Sequence, residues 1–153
     1  MKLVASIFLF SLLITPPEWR SDFKKAQLQA AEEHKLILLT FTGSDWCGTC
    51  IHLKKTIFWS EVFINYAADN LVLVMADFPR PKKYNKQTEE HLKQNELLAD
   101  QYNFDGLFPY TVLLDASGKV IKKWTDMHEQ SPEKFVEEMR TTVDTLKLNS
   151  ATH

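Results

Sequence analysis

At 153 residues, 44% of them hydrophobic, the chain has material for one domain with a real core and too little for two comfortable ones. Its formal net charge is -2 with acidic and basic residues interspersed, which excludes a global electrostatic case for nucleic acid or an anionic membrane surface as partner. Only two cysteines are present, so packing rather than a disulfide framework must hold the fold, and the pair is free to be functional.

Lys2 followed by the apolar run 3–14 has the shape of a signal-peptide core and is short for a bilayer span. Residues 14–17 lack a small-x-small cleavage pattern. The expectation is therefore a signal peptide or an uncleaved N-terminal anchor over 1–17, one domain over 18–148 and a frayed tail over 149–153. Export places the cysteines in an oxidising compartment. Residues 21–34 read as a helix capped by Ser21, with Asp22 in its first turn and Phe23, Ala26, Ala30 and Ala31 as the apolar stripe. The unbroken apolar run 36–41 reads as a strand buried on both faces of a mostly parallel sheet. Gly43-Ser44-Asp45 turns the chain, and Trp46-Cys47-Gly48-Thr49-Cys50 follows at the carboxyl end of that strand, where open α/β sheets place their reaction sites. If Cys47 opens a helix, the two sulfurs form an i, i+3 pair, and the helix N-terminus favours a thiolate on Cys47. The spacing alone also serves zinc sites and ordinary disulfides. His52 is the one histidine nearby in sequence; a closed zinc site needs a fourth ligand, so His52 reads as a solvated helix residue, and Cys50 is not followed directly by the histidine that haem attachment needs.

The helix is expected to break over 56–59, where bulky and β-branched residues crowd, and to resume behind a Ser60 cap. Residues 71–76 read as a second buried strand, which completes a strand, helix, strand crossover. Residues 78–86, with two prolines and four basic side chains, read as a solvated loop inserted near the active end, either a plain surface loop or a basic rim facing acidic partners. A helix over 88–102 is expected to turn Leu92, Leu97, Leu98 and Tyr102 inward. Strands over 110–115 and 120–124 form an antiparallel hairpin, and a last helix opens at Ser131-Pro132 with Phe135, Val136, Met139, Val143 and Leu146 on its buried face. Met127 and His128 receive no role.

The order of these elements, the Trp46-to-Cys50 motif and Phe108-Pro109-Tyr110 at the head of a later strand together resemble the thioredoxin superfamily. More closely, Thr42-Gly43-Ser44-Asp45-Trp46-Cys47, Asp77-Phe78-Pro79 and Leu113-Leu114-Asp115-Ala116-Ser117-Gly118-Lys119 resemble exported bacterial thioredoxin-like proteins related to periplasmic disulfide reductase and isomerase domains. The resemblance covers residues 22–146. It implies an α/β thioredoxin fold, a central mixed sheet flanked by helices with a loop-helix insertion before a cis-proline strand. It also implies a thiol-disulfide oxidoreductase in which Cys47 attacks and Cys50 resolves. Trp46, Phe108 and Pro109 would receive substrate, and Asp45, Gly48 and Thr49 would support the pair. No metal and no cofactor beyond the Cys47–Cys50 disulfide is implied. The expected partners are protein thiols or disulfides and a membrane electron donor, met outside the cytoplasm by a monomer. Reductase or isomerase chemistry is expected ahead of oxidation; the alternatives are a thiol-based metal carrier or non-catalytic binding module, and an inert structural disulfide.

Three departures from the family pattern matter. Thr40 stands where many thioredoxins bury an acid beneath the resolving cysteine, and Leu73 stands where its basic partner would be. Proton transfer must then use water, Asp45 or another group. Gly48-Thr49 has neither the proline of thioredoxin nor the histidine of oxidising isomerases, so the potential does not follow by analogy, and a single hydrogen bond from Thr49 is enough to shift it. Phe108 is bulkier than the residue usual before the cis-proline and narrows the substrate range.

Overall fold

The computed structural model describes residues 18–80, 87–125, 127 and 129–151, the last five by backbone only. The leader expected over 1–17, most of the basic loop and His128 lie outside the described residues. In chain order the elements are β1 (Trp19–Arg20), α1 (Phe23–Glu33), β2 (Leu36–Thr42), α2 (Gly48–Leu53), a π-helical turn (Lys54–Phe58), α3 (Glu61–Asn70), β3 (Leu71–Asp77), α4 (Glu89–Tyr102), β4 (Tyr110–Leu114), β5 (Val120–Trp124) and α5 (Pro132–Ala151). The five strands form one mixed sheet in the order β1-β3-β2-β4-β5. Its centre, β2, runs parallel to β3 from Leu36↔Leu71 to Thr42↔Asp77 and antiparallel to β4.

Two apolar faces follow from the alternation of side chains along each strand. Leu38, Leu73 and Leu113 point to one side, where α2, the π-helical turn, α3 and α5 bring Leu53, Ile57, Phe63, Phe135 and Met139. Ile37, Leu39, Phe41, Val72 and Val112 point to the other, where α1 and α4 bring Phe23, Ala26, Ala30, Leu98 and Tyr102. A strand covered on both sides has no polar face to show, which is why β2 and β3 read as continuous apolar runs. Thr40 and Thr42 share the face of Leu38, the one on which α2 sits.

Several local expectations are corrected. Asp22, not Ser21, caps α1: its backbone is extended and its carboxylate accepts the Lys25 N–H at 3.0 Å, while the Ser21 carbonyl receives Gln94 Nε2. Ala31 is exposed, because the buried row of α1 runs Phe23, Ala26, Ala30. Leu97 is 61% exposed, and the inward row of α4 is Asn95, Leu98 and Tyr102. Asn95 is tolerated inside because its amide donates to the Asp77 carbonyl at 2.9 Å. On α5, Phe135, Val136 and Met139 are buried, but Val143 is half-buried and Leu146 is 41% exposed. A helix of 20 residues is about 30 Å long and outruns a five-residue strand of about 17 Å. The helix backbone runs to Ala151, and nothing between Leu148 and Ala151 is a glycine or proline. The break expected over 56–59 is instead the π-helical turn at Lys54–Phe58, after which Ser60 caps α3 by accepting the Phe63 N–H. The strand β1 was not legible: two residues carry no periodicity. It pairs with β3, and Trp19 packs on Phe58 with ring centroids 4.9 Å apart. Met127, given no role from sequence, is buried in the core beneath α5.

Candidate functional site

The chain leaves β2 at Thr42 and turns sharply, with the Gly43 carbonyl accepting the N–H groups of Trp46 (3.2 Å) and Cys47 (2.9 Å). Cys47 is then the N-cap of α2, in extended conformation, and Cys50 lies one turn on. The two sulfurs are joined as a disulfide, S–S 2.06 Å, and both residues are buried, Cys47 at 6% and Cys50 at 4% exposure. Two donors converge on Cys47 Sγ: the Cys50 backbone N–H at 3.2 Å and the Thr49 hydroxyl at 3.3 Å. When the disulfide is reduced, the same groups lie ready to stabilise a thiolate there, because a hydrogen bond to a charged acceptor is stronger than one to a neutral acceptor. Gly48 and Thr49 are exposed at the tip, and a side chain at Gly48 would meet nothing.

The turn before Cys47 is tied to the end of β3 residue by residue. Ser44 donates its N–H (2.8 Å) and hydroxyl (2.6 Å) to the Asp77 carboxylate. Asp45 Oδ1 accepts the Arg80 N–H at 3.0 Å, and Trp46 Nε1 donates to the Phe78 carbonyl at 2.7 Å. Asp45 therefore anchors the loop that leaves β3. Trp46 is 40% exposed, and its indole lies flat on Gly43: a Cβ there would come within 2.2 Å of the ring. Phe108 meets Trp46 edge-on at 5.4 Å and Phe78 at 5.6 Å, so three aromatic rings form one wall beside the cysteines. The Phe108–Pro109 peptide is cis, and Pro109 is half-buried immediately before β4.

Beneath the pair, Thr40 and Thr111 are paired across β2 and β4 and share a hydrogen bond between their hydroxyls at 2.5 Å. Both are buried, as is Leu73. The position of the usual buried acid is thus filled by two neutral hydroxyls that satisfy each other. His52 is exposed on α2, and its carbonyl accepts the Thr56 hydroxyl. Among the described residues, no group of three or more His, Cys, Asp or Glu side chains could hold a metal ion.

The structure therefore gathers Asp45, Trp46, Cys47, Gly48, Thr49, Cys50, Phe108 and Pro109 at one end of the sheet. The contributions of Gly43, Ser44, Asp77 and Phe78 were missed from sequence. The stretches holding them were visible as motifs, but Ser44 and Asp77 are 33 positions apart and nothing local states that they bond.

Residues 18–116 match a family model described as Thioredoxin-like. The chain is 39% identical over 106 residues to disulfide bond reductase DsbH of Chlamydia pneumoniae, covering 69% of this chain and 61% of that protein. It is 29% identical over 96 residues to thioredoxin-related protein DsbJ of the same organism, covering 63% of this chain and 26% of that one. The chain thus spans about three fifths of one of these curated relatives and a quarter of the other. Among solved structures, a DsbH oxidoreductase superposes with a TM-score of 0.75 at 31% identity, covering 85% of this chain and 86% of that one.

Proposed function

We propose that this chain, which belongs to the thioredoxin-like family, is a thiol-disulfide oxidoreductase that reduces protein disulfides through Cys47 and Cys50. The observation that carries the reading is the placement of the pair: Cys47 caps α2 at the carboxyl end of the central strand, with the Cys50 N–H and the Thr49 hydroxyl on its sulfur. In the forward reaction the Cys47 thiolate attacks one sulfur of a substrate disulfide. A mixed disulfide forms and the other substrate sulfur leaves as a thiolate. Cys50 then attacks Cys47 Sγ, closing the enzyme disulfide and releasing the second substrate thiol, so two electrons pass from the enzyme dithiol to the substrate. An external dithiol must restore the reduced enzyme, and a membrane-bound donor fits an exported protein.

The reducing direction is supported by the relative named as a disulfide bond reductase. Trp46, Phe108 and Pro109 form the surface that receives the substrate chain. Location outside the cytoplasm rests on the leader read over residues 1–17; among the described residues no helix is long and apolar enough to cross a membrane. No metal or organic cofactor takes part in the proposed cycle.

In a test with insulin as the protein disulfide, Cys47→Ser is expected to lose all reduction above background, and Cys50→Ser to accumulate mixed disulfides. Full activity in Cys47→Ser would end the reading. A reduction potential below about -200 mV is expected for the couple, and one above about -150 mV would reverse the proposed direction.

A further inference from the structure

Beside Cys50 the surface opens into a cavity of about 180 Å3. The sheet supplies its floor through Thr42 of β2 and Met75 of β3, Cys50 forms part of its wall, and Lys54, Lys55 and Trp59 line it from the helical side. By volume it admits several waters. The charged side chains that line it are the two lysines. Carboxylates stand nearby, but in other contacts: Asp77 receives Ser44, and Asp45 receives the Arg80 N–H. His52, on the same helix, is exposed and outside the lining. Deeper on this face the Thr40 and Thr111 hydroxyls are closed on each other.

The π-helical turn explains why Lys54 stays there. Lys54 follows Cys50 by four positions and so shares its side of the helix, and its N–H donates to the Cys50 carbonyl. In a π turn the hydrogen bond joins i and i+5, and here the Trp59 N–H donates to the Lys54 carbonyl at 3.0 Å. That extra residue per turn stacks Trp59 over Lys54, whose Nζ lies 5.5 Å from the indole centroid. A 58% exposed tryptophan thus holds the ammonium group of Lys54, a residue that lines the same cavity as Cys50. Single π turns inside helices are uncommon and are frequent at functional sites.

We propose that Lys54, held by Trp59, is an electrostatic positioning residue for Cys50. Its charge stabilises the Cys50 thiolate, while the cavity gives the departing proton a path to water. The inference rests on the oxidoreductase reading and supplies what Thr40 and Leu73 leave out. In the step concerned, Cys50 loses its proton to solvent and its thiolate attacks Cys47 Sγ. The Cys47–substrate bond breaks, the Cys47–Cys50 bond forms, and the substrate sulfur leaves as a thiolate that water reprotonates.

The test titrates Cys50 as the sole thiol of the full chain, by thiolate absorbance against pH in the Cys47→Ser background. A charge at the edge of a surface cavity is expected to hold the thiol down by about half a pH unit. Lys54→Met should raise the Cys50 pKa by that amount, Lys54→Arg should restore it, and Trp59→Leu should raise it by a smaller amount. Salt at 1 M should remove most of the difference between Lys54 and Lys54→Met, which needs no second substitution to read. In chains with both cysteines, Lys54→Met should slow release of a preformed mixed disulfide about twofold below the Cys50 pKa and leave it unslowed above: the thiolate share falls about threefold, and the greater nucleophilicity of a more basic sulfur recovers part. Equal Cys50 pKa values in folded Lys54 and Lys54→Met proteins would overturn the proposal. An unshifted Trp59→Leu protein beside a shifted Lys54→Met protein would overturn the part given to Trp59. Because the titration needs no turnover, it reads Lys54 even in a chain that fails to reduce insulin, and the insulin assay judges the oxidoreductase reading separately.

Discussion

Cys47 and Cys50 are 2.06 Å apart at sulfur, yet Cys47 stands beside a wall of three aromatic rings and accepts two hydrogen bonds, whereas Cys50 borders a surface cavity edged by two lysines. The Cys47 side is rigid by construction: Ser44, Asp45 and Trp46 are each bonded to residues 77–80, and the Trp46 ring has no freedom to approach Gly43 further. The Cys50 side opens to the surface, and its charges sit on long flexible stems. The difference matches the two tasks. The attacking sulfur must present itself to a substrate surface in a fixed pose, which calls for fixed donors and apolar contact. The resolving sulfur must lose a proton at the right moment, which calls for a path to water and a favourable field.

The largest expected break in this contrast comes from Gly43→Ala. The new methyl falls within 2.2 Å of the Trp46 ring and must expel it, since the indole is also held by the Phe78 carbonyl and by Phe108. Overpacking of this kind costs about 1–3 kcal/mol, and a displaced rim residue is expected to slow insulin reduction about tenfold or more. The Cys50 titration should not move. A Cys50 pKa that shifted along with the rate would show the two sides to be one coupled unit.

Next in size is the hydroxyl pair under the cysteines. Thr40→Val or Thr111→Val alone leaves a buried hydroxyl without its partner, which costs about 1–3 kcal/mol, while the double substitution removes both polar groups at nearly constant volume and should recover most of the loss. Urea unfolding of the four proteins measures the coupling. If the pair is structural only, resolution of a mixed disulfide in the double variant should match that of the unsubstituted chain, which leaves proton transfer to the cavity and Lys54.

How much of this was legible in sequence differs between the two sides. The strands β2 and β3 announced themselves as unbroken apolar runs, and Ser60 and Ser131 stood where caps belong. Cys47, Cys50, Trp46 and the Phe108-Pro109 pair were visible because each sits in a short motif with a local geometric reason. The ties from residues 44–46 to residues 77–80 were not, since they are long-range bonds from a turn to the end of β3 and the loop after it, whose register only the parallel β2–β3 pairing sets. The Cys50 side was harder still. Crowding at Thr56 to Trp59 signalled that the helix changes there, but not that it widens into a π turn and lays Trp59 over Lys54. Leu97 and Leu146 were placed inward because periodicity names a stripe without saying how far the sheet beneath it extends.

The smallest expected effect provides the reference for both sulfurs. Asp115 lies in the turn after β4, at the opposite end of β4 from Pro109, where its Oδ1 accepts the N–H groups of Ser117 (2.9 Å) and Lys119 (3.0 Å) and the Ser117 hydroxyl (2.6 Å). Partial burial pushes its pKa up, but these hydrogen bonds and the Lys119 charge outweigh that and hold it below the ordinary aspartate value of 3.8. A carboxyl that is more acidic folded than unfolded stabilises the fold above pH 3.8, and that contribution fades as the pH falls from 3.8 through the depressed value. Asp115→Asn keeps an acceptor oxygen but cannot titrate, so its stability should fall less steeply across that acid window, with only a small loss near neutrality. The group is mostly solvated, so the change in slope should be slight. Thermal unfolding from pH 2 to pH 7 reads it. The same protein should reduce insulin at the normal rate and show the normal Cys50 titration, because neither the aromatic wall nor the cavity touches this turn. A shift in either would mean that the far end of β4 reaches the cysteines through the sheet, and the contrast between the two sulfurs would then belong to the whole domain rather than to their own neighbours.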